Sequence, residues 1–300
     1  MAIYLTGFAD EAATSIDDQI RATKELGWNA IESRNVNGSQ IHDLSDKEFD
    51  EVAGKLDDAG VRINCFGSAI ANWGKKIDVG ADFYRDIEQT GRAIRRMQRL
   101  GTRLVRIMSY AMIPDRPMED QFFAERVHRL NTLVPMFLDA GIQPVHENCM
   151  NYGGQGWTYT LRLLDAVPGI KLVFDTGNPI FTFDRTLPPP HPRQSSYEFF
   201  RHVCDHVVYV HIKDAVITPE GKTQYSWPGE GDGDVVRICG DLVAAGYDGG
   251  ISIEPHLGAV FHDAAAGQSD EEAKYAMYVE YGRRMVKILQ DAGAILEPYA

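Results

Sequence analysis

Paired cysteines, long apolar runs and positive charge are what this chain lacks. Its four cysteines, Cys65, Cys149, Cys204 and Cys239, are widely spaced and form no C-x-x-C pair. That excludes a zinc-ribbon pattern and argues against a disulfide framework. Reduced, mostly buried thiols are the expectation. No stretch approaches the roughly 18 apolar residues of a membrane-spanning helix. The N-terminus, Met1-Ala2-Ile3-Tyr4-Leu5-Thr6-Gly7, lacks the basic start and apolar run of a signal peptide, so a cytoplasmic location is expected. Lys and Arg number 30 against 43 Asp and Glu, giving a formal net charge of -13. Such a chain binds phosphate backbones and anionic membrane surfaces poorly. Neither nucleic acid nor a membrane is therefore an expected partner.

What is present is a globular composition with a regular rhythm. Hydrophobic residues make up 44% and charged residues 24%, which excludes disordered and fibrous classes. Short apolar runs alternate with longer amphipathic segments. Strands are expected at Ile3–Phe8, Ala30–Glu32, Val61–Phe66, Leu104–Ile107, Ile142–His146, Lys171–Phe174, Val207–Ile212 and Gly250–Ile253. The intervening helices are expected at Ser15–Leu26, Ser45–Ala59, Asp82–Leu100, Glu119–Ala140, Thr158–Ala166, Ser196–Val203, Asp234–Ala245 and Asp270–Ala292. Ser15 and Ser45 suit N-caps, with Glu48 completing a capping box, and Gly27, Gly60, Gly101, Gly141 and Gly246 suit helix stops. Continuously apolar strands are those buried on both faces of a parallel sheet. A doubly wound sheet alternates in the same way. Eight units without a linker or composition break favour a single (β/α)8 TIM barrel over residues 1–300.

Active sites of such barrels lie at the C-terminal ends of the strands. Strand five runs out as His146-Glu147-Asn148 and strand six as Phe174-Asp175-Thr176-Gly177-Asn178. Strand seven ends Val210-His211-Ile212-Lys213-Asp214, and strand eight ends Ile253-Glu254-Pro255-His256. Four successive strands thus deliver Glu147, Asp175, His211 and Glu254. Any one of them alone reads as an ordinary solvated strand-end residue. Four in register on adjacent strands read as a site. Three carboxylates and one imidazole form a hard donor set suited to one divalent ion, Mn²⁺, Mg²⁺, Co²⁺, Fe²⁺ or Zn²⁺. Converging carboxylates repel each other, and a cation neutralises them.

These motifs, with Gly229-Glu230-Gly231-Asp232-Gly233-Asp234, Phe8-Ala9-Asp10-Glu11 and Ile31-Glu32-Ser33-Arg34, resemble the xylose-isomerase-like TIM-barrel superfamily of sugar (phosphate) isomerases and epimerases. The resemblance covers nearly the whole chain. It implies a divalent metal held by Glu147, Asp175, His211 and Glu254. In the ketose 3-epimerases of that family the two glutamates also move the proton. Those enzymes carry a further glutamate after the strand-five ligand and a histidine after the strand-six aspartate, where this chain has Asn151 and Asn178.

The chemistry can also be argued from the residues. A metal that holds a carbonyl and its neighbouring hydroxyl acidifies the C–H between them. Glu147 and Glu254 face such a substrate from opposite sides, one as base and one as acid. That inverts a carbon through an enediolate, moves a carbonyl, or expels a β-hydroxyl. Arg34, Asn178, Lys213, His256, Trp227 and Glu230 are the candidate substrate contacts; Trp73 shares the open end with Trp227. The plainer readings are pairing with Asp214 or a neighbouring acid for Lys213, and loop packing for the tryptophans. His146 and Cys149 are expected to face away from Glu147 or to lie outside its immediate contacts. The glycine-rich loop lacks a phosphate-loop lysine and a helix-opening G-x-G-x-x-G, so no nucleotide site is expected.

The leading expectation is a metal-dependent isomerase or epimerase of a small-molecule sugar or keto-sugar. The alternative is a lyase or dehydratase on a keto-inositol or 3-keto-glycoside. An abasic-site endonuclease is disfavoured by the charge and by a single histidine among the four donors. A metal-free binding or regulatory protein is the remaining class. A homo-oligomer is compatible with all of these.

Overall fold

Strands that are apolar on both faces need cover on both sides, and the chain supplies it. The computed structural model describes residues 2–258 and 270–297, so the ends of the expected 1–300 span and the segment 259–269 lie outside the described residues. The barrel strands are β1 (Tyr4–Gly7), β2 (Ala30–Ser33), β3 (Arg62–Gly67) and β4 (Leu104–Ile107), followed by β5 (Gln143–Glu147), β6 (Lys171–Asp175), β7 (Val207–Ile212) and β8 (Gly250–Ile253). They run β1-β8-β7-β6-β5-β4-β3-β2 around one sheet, every neighbouring pair parallel. A parallel bridge from Phe8 to Glu32 brings β1 and β2 together and closes the ring. The Thr6 hydroxyl lies 3.0 Å from the Ala30 carbonyl across that seam. This is the (β/α)8 barrel that the alternation implied.

The outer layer is α1 (Ile16–Glu25), α2 (Asp46–Ala59), α3 (Gly80–Leu100), α4 (Phe123–Asp139), α5 (Trp157–Ala166), α6 (Ser196–Val203), α7 (Val235–Ala244) and α8 (Glu271–Asp291). Ser45 caps α2 as read, its hydroxyl accepting from the Glu48 amide while Glu48 reaches back to Ser45. Gly60 and Gly101 end α2 and α3 in the left-handed region, at φ +66° and +71°, where a side chain is disfavoured. The fourth helix starts at Phe123 rather than Glu119. The Gln121 side chain bonds the Ile113 amide and carbonyl and the Arg116 carbonyl, and this holds the preceding turn outside the helix. Three cysteines are buried, but Cys204 is exposed. Among the described residues no helix is long and apolar enough to cross a membrane.

Side chains alternate along a strand, and that sets what fills the barrel. Cys65, Val145, Val173 and Tyr209 pack together inside it, with Tyr4 and Leu104 against them. Two residues further along their strands come Arg106, Glu147, Asp175 and His211, all buried. An apolar plug therefore passes into a charged layer within one pleat. Two hairpins missing from the sequence reading rise above this layer: Asn35–Val36 with Ser39–Gln40, and Ala215–Ile217 with Thr223–Tyr225.

Outward-facing strand residues seat the helices. Phe174 is fully buried, with ring centroids 5.4 Å from Phe200 and 5.9 Å from Phe199 on α6. Phe174→Ala is expected to cost about 3–5 kcal/mol of unfolding free energy in urea denaturation, because the seat of α6 is emptied. A loss no larger than that of an exposed substitution would show that α6 is not held this way.

Candidate functional site

The charged layer is the floor of a cavity of about 710 Å³. Glu147 ends β5, Asp175 ends β6, His211 is next to last in β7, and Glu254 follows β8. Asp175 and Ser252 both lie opposite His211 in their registers, and the Glu254 amide donates to the Ile212 carbonyl at 2.9 Å, continuing the ladder. Donor atoms from all four side chains lie within 4.8 Å of one another, and all four residues are buried. The expected set therefore converges at one end of the barrel.

Each donor is aimed by a neighbour. Asp175 Oδ1 accepts from the amides of Gly177 (2.7 Å) and Asn178 (2.8 Å), which turns Oδ2 into the site. His211 presents Nε2 to Glu32, 3.0 Å away, and Nδ1 to the site. That buried Nδ1 has no hydrogen bond, and the nearest glutamate oxygen, Glu147 Oε1, is 3.6 Å away. Glu147 accepts from Arg106 Nη1 at 3.0 Å and from Asn178 Nδ2 at 2.9 Å. Lys213 Nζ lies between Asp175 Oδ2 (2.9 Å) and Glu254 Oε2 (3.0 Å). Arg34 donates to Glu254 Oε1 at 3.1 Å and pairs with Asp10 and Glu11.

The site carries surplus negative charge. Six carboxylates are buried here, Asp10, Glu11, Glu32, Glu147, Asp175 and Glu254, against the fixed cations Arg34, Arg106 and Lys213 and the His211 imidazole, whose burial is outweighed by Glu32 and Glu147 so that its pKa rises to about 10. Burial opposes ionisation of Glu147, yet Arg106 and His211 beside it hold its pKa at about 2. Burial likewise opposes ionisation of Glu254, and Lys213, His256 and Arg34 keep its carboxyl well below the usual range. At Asp175 burial wins: with Glu254 and Glu147 close by, its pKa rises to about 6 despite Lys213. Converging carboxylate oxygens, an imidazole nitrogen without a partner and excess negative charge fit a hard divalent cation.

Residues 20–281 match the sequence model described as xylose isomerase-like TIM barrel. The chain belongs to that family. No curated protein matches it by sequence. Among solved structures it is similar to an L-ribulose 3-epimerase, at 17% identity and TM-score 0.68, with 98% of this chain and 96% of the other covered. A xylose isomerase-like TIM barrel protein from Mycobacterium smegmatis, in complex with magnesium, is also 17% identical, with TM-score 0.67 and 98% of each chain covered. A probable 3-DHS dehydratase involved in petrobactin synthesis in Bacillus anthracis has 16% identity and TM-score 0.66, covering 95% of this chain and 99% of that one. At these identities the likeness carries the fold.

Within this xylose isomerase-like barrel the other expected contacts divide. Arg34, Asn178, Lys213 and His256 all line the cavity, and so does Trp73. Trp227 does not line it: its ring lies against Tyr281 and under Arg284, on the outer layer. Glu230 is directed outward as well, pairing with Arg284 at 2.7 Å. Both sit in a loop that turns away from the barrel axis, because its glycines are drawn to Asp214. The amides of Gly229, Gly231 and Gly233 donate to the Asp214 carboxylate at 2.8, 3.1 and 2.9 Å. A Cβ at Gly231 would press on the Ala215 carbonyl, 2.6 Å away, so glycine is required there. Asp214 thereby has partners of its own, and of the two pairings expected for Lys213 the structure shows the one with neighbouring acids, Asp175 and Glu254. His146 faces away from the site toward Ser109 (3.1 Å), as expected, whereas Cys149 lines the cavity.

Arg106 and Glu32 were missed in the sequence. The signal existed: each is a charged residue inside a short apolar strand, at the same pleat parity as the plug or the ligands. Removing Arg106 leaves Glu147 as a buried charge without its main partner. Arg106→Leu is expected to lower unfolding free energy by about 3–5 kcal/mol in denaturant titration. No loss would mean that Glu147 is neutral or solvated in the folded protein.

Proposed function

We propose that the protein is a divalent-metal-dependent isomerase or epimerase acting on a small sugar or keto-sugar. The observation that carries this reading is the convergence of Glu147, Asp175, His211 and Glu254, buried, at the floor of a cavity large enough for such a substrate. Those four side chains would hold the ion, with His211 contributing Nδ1 and Asp175 contributing Oδ2. The ion, when bound, supplies a Lewis acid that polarises a carbonyl and its neighbouring hydroxyl. Its kind is left open among Mn²⁺, Mg²⁺, Co²⁺, Fe²⁺ and Zn²⁺.

The remaining work belongs to the chain. Glu254 is ionised against Lys213 and Arg34 and takes the proton from the acidified carbon at a carboxylate oxygen. If Glu254 returns the proton to the adjacent carbon, the carbonyl moves. Glu147 rests as a carboxylate, so inversion requires it first to take a proton from solvent; it then delivers that proton to the opposite face while Glu254 keeps the one it removed. Asn178, bonded to Glu147 Oε1, orients that carboxylate, and Arg106 fixes it from the other side. Lys213 places an ammonium group where a substrate oxygen gains charge, and the ring of Trp73 at the cavity wall shields an apolar sugar face.

A lyase is the second reading. Lys213 is a buried cation between Asp175 and Glu254, and it is placed to hand a proton to a departing β-hydroxyl. The likeness to the probable dehydratase supports keeping this reading alongside the first.

A panel of ketoses, keto-inositols and 3-keto-glycosides, incubated with each ion in D₂O, separates the outcomes. A new isomer carrying carbon-bound deuterium is expected. Loss of water or of an aglycone would select the lyase, and isomer formation without deuterium would indicate a hydride shift and overturn the glutamate roles. Asp175→Asn is expected to weaken ion binding and to regain activity at high ion concentration. Glu254→Gln keeps a ligating oxygen but loses the base, so it is expected to fall by about 10²–10⁴-fold even under saturating ion. Near wild-type turnover in Glu254→Gln would remove Glu254 from proton transfer.

A further inference from the structure

His211 can serve the site only through the ring nitrogen that faces it, and that nitrogen must not carry the proton. A chain of hydrogen bonds on the far side of the ring settles which one does. Thr6 donates to Asn64 Oδ1 (2.8 Å), which fixes the Asn64 amide with Nδ2 turned to Tyr209. Asn64 Nδ2 donates to the Tyr209 hydroxyl at 2.9 Å, and that hydroxyl donates to Glu32 Oε2 at 2.9 Å. Glu32 is completely buried, and as a carboxylate it only accepts. His211 Nε2, at 3.0–3.2 Å from its two oxygens, must then be the donor. Phe8 closes the side of the ring, edge-on at 5.1 Å. In the neutral imidazole the lone pair is then on Nδ1, which faces the other donors.

We propose that Glu32 is a positioning residue that fixes the tautomer and orientation of His211, making Nδ1 a ligand for the divalent ion. This rests on the metal reading above and goes beyond it, since Glu32 lies on the opposite side of the imidazole from the ion and touches neither ion nor substrate. A carboxylate on the second nitrogen of a ligating histidine raises the basicity of the first, and removing such a partner costs 10–100-fold in metal affinity. Glutamine is the informative replacement because it preserves shape. Its NH₂ must face either Tyr209, which is already receiving a proton from Asn64, or His211. Facing His211, it drives the ring proton to Nδ1 and blocks ligation. In both orientations the negative charge is gone.

The test uses the full chain stripped of metal and titrated with Mn²⁺ and Co²⁺ by calorimetry, with the visible spectrum of the Co²⁺ form as a second readout. Glu32→Gln is expected to bind about 10–100-fold more weakly with an altered Co²⁺ spectrum, while its circular dichroism is unchanged. Val173→Ala disturbs the apolar plug below the site but leaves the Glu32–His211 contact in place, so its affinity is expected to stay close to wild type. Wild-type affinity and spectrum in Glu32→Gln would overturn the proposal while leaving the metal reading intact. An equal loss in Val173→Ala would also overturn it, assigning the effect to packing. If the wild-type protein itself takes up no divalent ion, the metal reading and this inference fall together.

Discussion

The two-residue period of a β-strand, imposed on a closed ring, is the constraint on which this molecule depends. Once Leu104, Val145, Val173 and Tyr209 pack into the lumen, the residues two positions later have no choice of direction. Arg106, Glu147, Asp175 and His211 must enter the same space one layer higher. A one-residue slip in any strand would turn its charged side chain toward the helices and leave a gap in the plug. Core packing and site geometry are therefore one specification. The stability of the plug is what holds charged groups together that would otherwise separate.

Holding them together has a cost, and the arrangement of cations shows how it is offset. Two of the fixed positive groups are shared, Arg34 among Asp10, Glu11 and Glu254 and Lys213 between Asp175 and Glu254, while Arg106 pairs with Glu147. Backbone amides neutralise one oxygen of Asp175. Even so, the acids outnumber the cations, and Asp175 bears the excess as a raised pKa. A site built only for stability would have balanced these charges or replaced them by apolar side chains. The imbalance is the physical reason to read the cluster as a binding site for a cation.

Much of this was legible in the sequence, and the reasons for success and failure are the same. The eight strands declared themselves because parallel strands buried on both faces are continuously apolar, and the helices because glycine stops follow several of them and Ser15 and Ser45 cap the first two. Glu147, Asp175, His211 and Glu254 were readable because they follow apolar runs, where barrel sites lie. Trp227 and Glu230 were placed in the site on loop position alone, and loop direction is set by tertiary bonds that no local pattern reveals. Arg106 was overlooked because a cation in the middle of Leu104–Ile107 reads as noise in an apolar run. The two small hairpins above the site have too few residues to show a period.

The glycine-rich loop shows how a local motif acts at a distance. Gly229-Glu230-Gly231-Asp232-Gly233 has the look of an anion-binding segment, and it is one, but its anion is internal. Three of its amides enclose the carboxylate of Asp214, immediately beyond the end of β7. Neighbouring residues on an extended chain point opposite ways, so anchoring Asp214 outward keeps Lys213 inward. Thr176 adds to this, its hydroxyl donating to the Lys213 carbonyl at 2.7 Å and accepting from the Lys213 amide at 3.1 Å. A lysine has four flexible bonds and gains entropy by swinging into solvent. Here its backbone is pinned on both sides and its ammonium is held by two buried carboxylates. The loop that carries no substrate contact of its own is thus what keeps the one mobile cation of the floor inside the site.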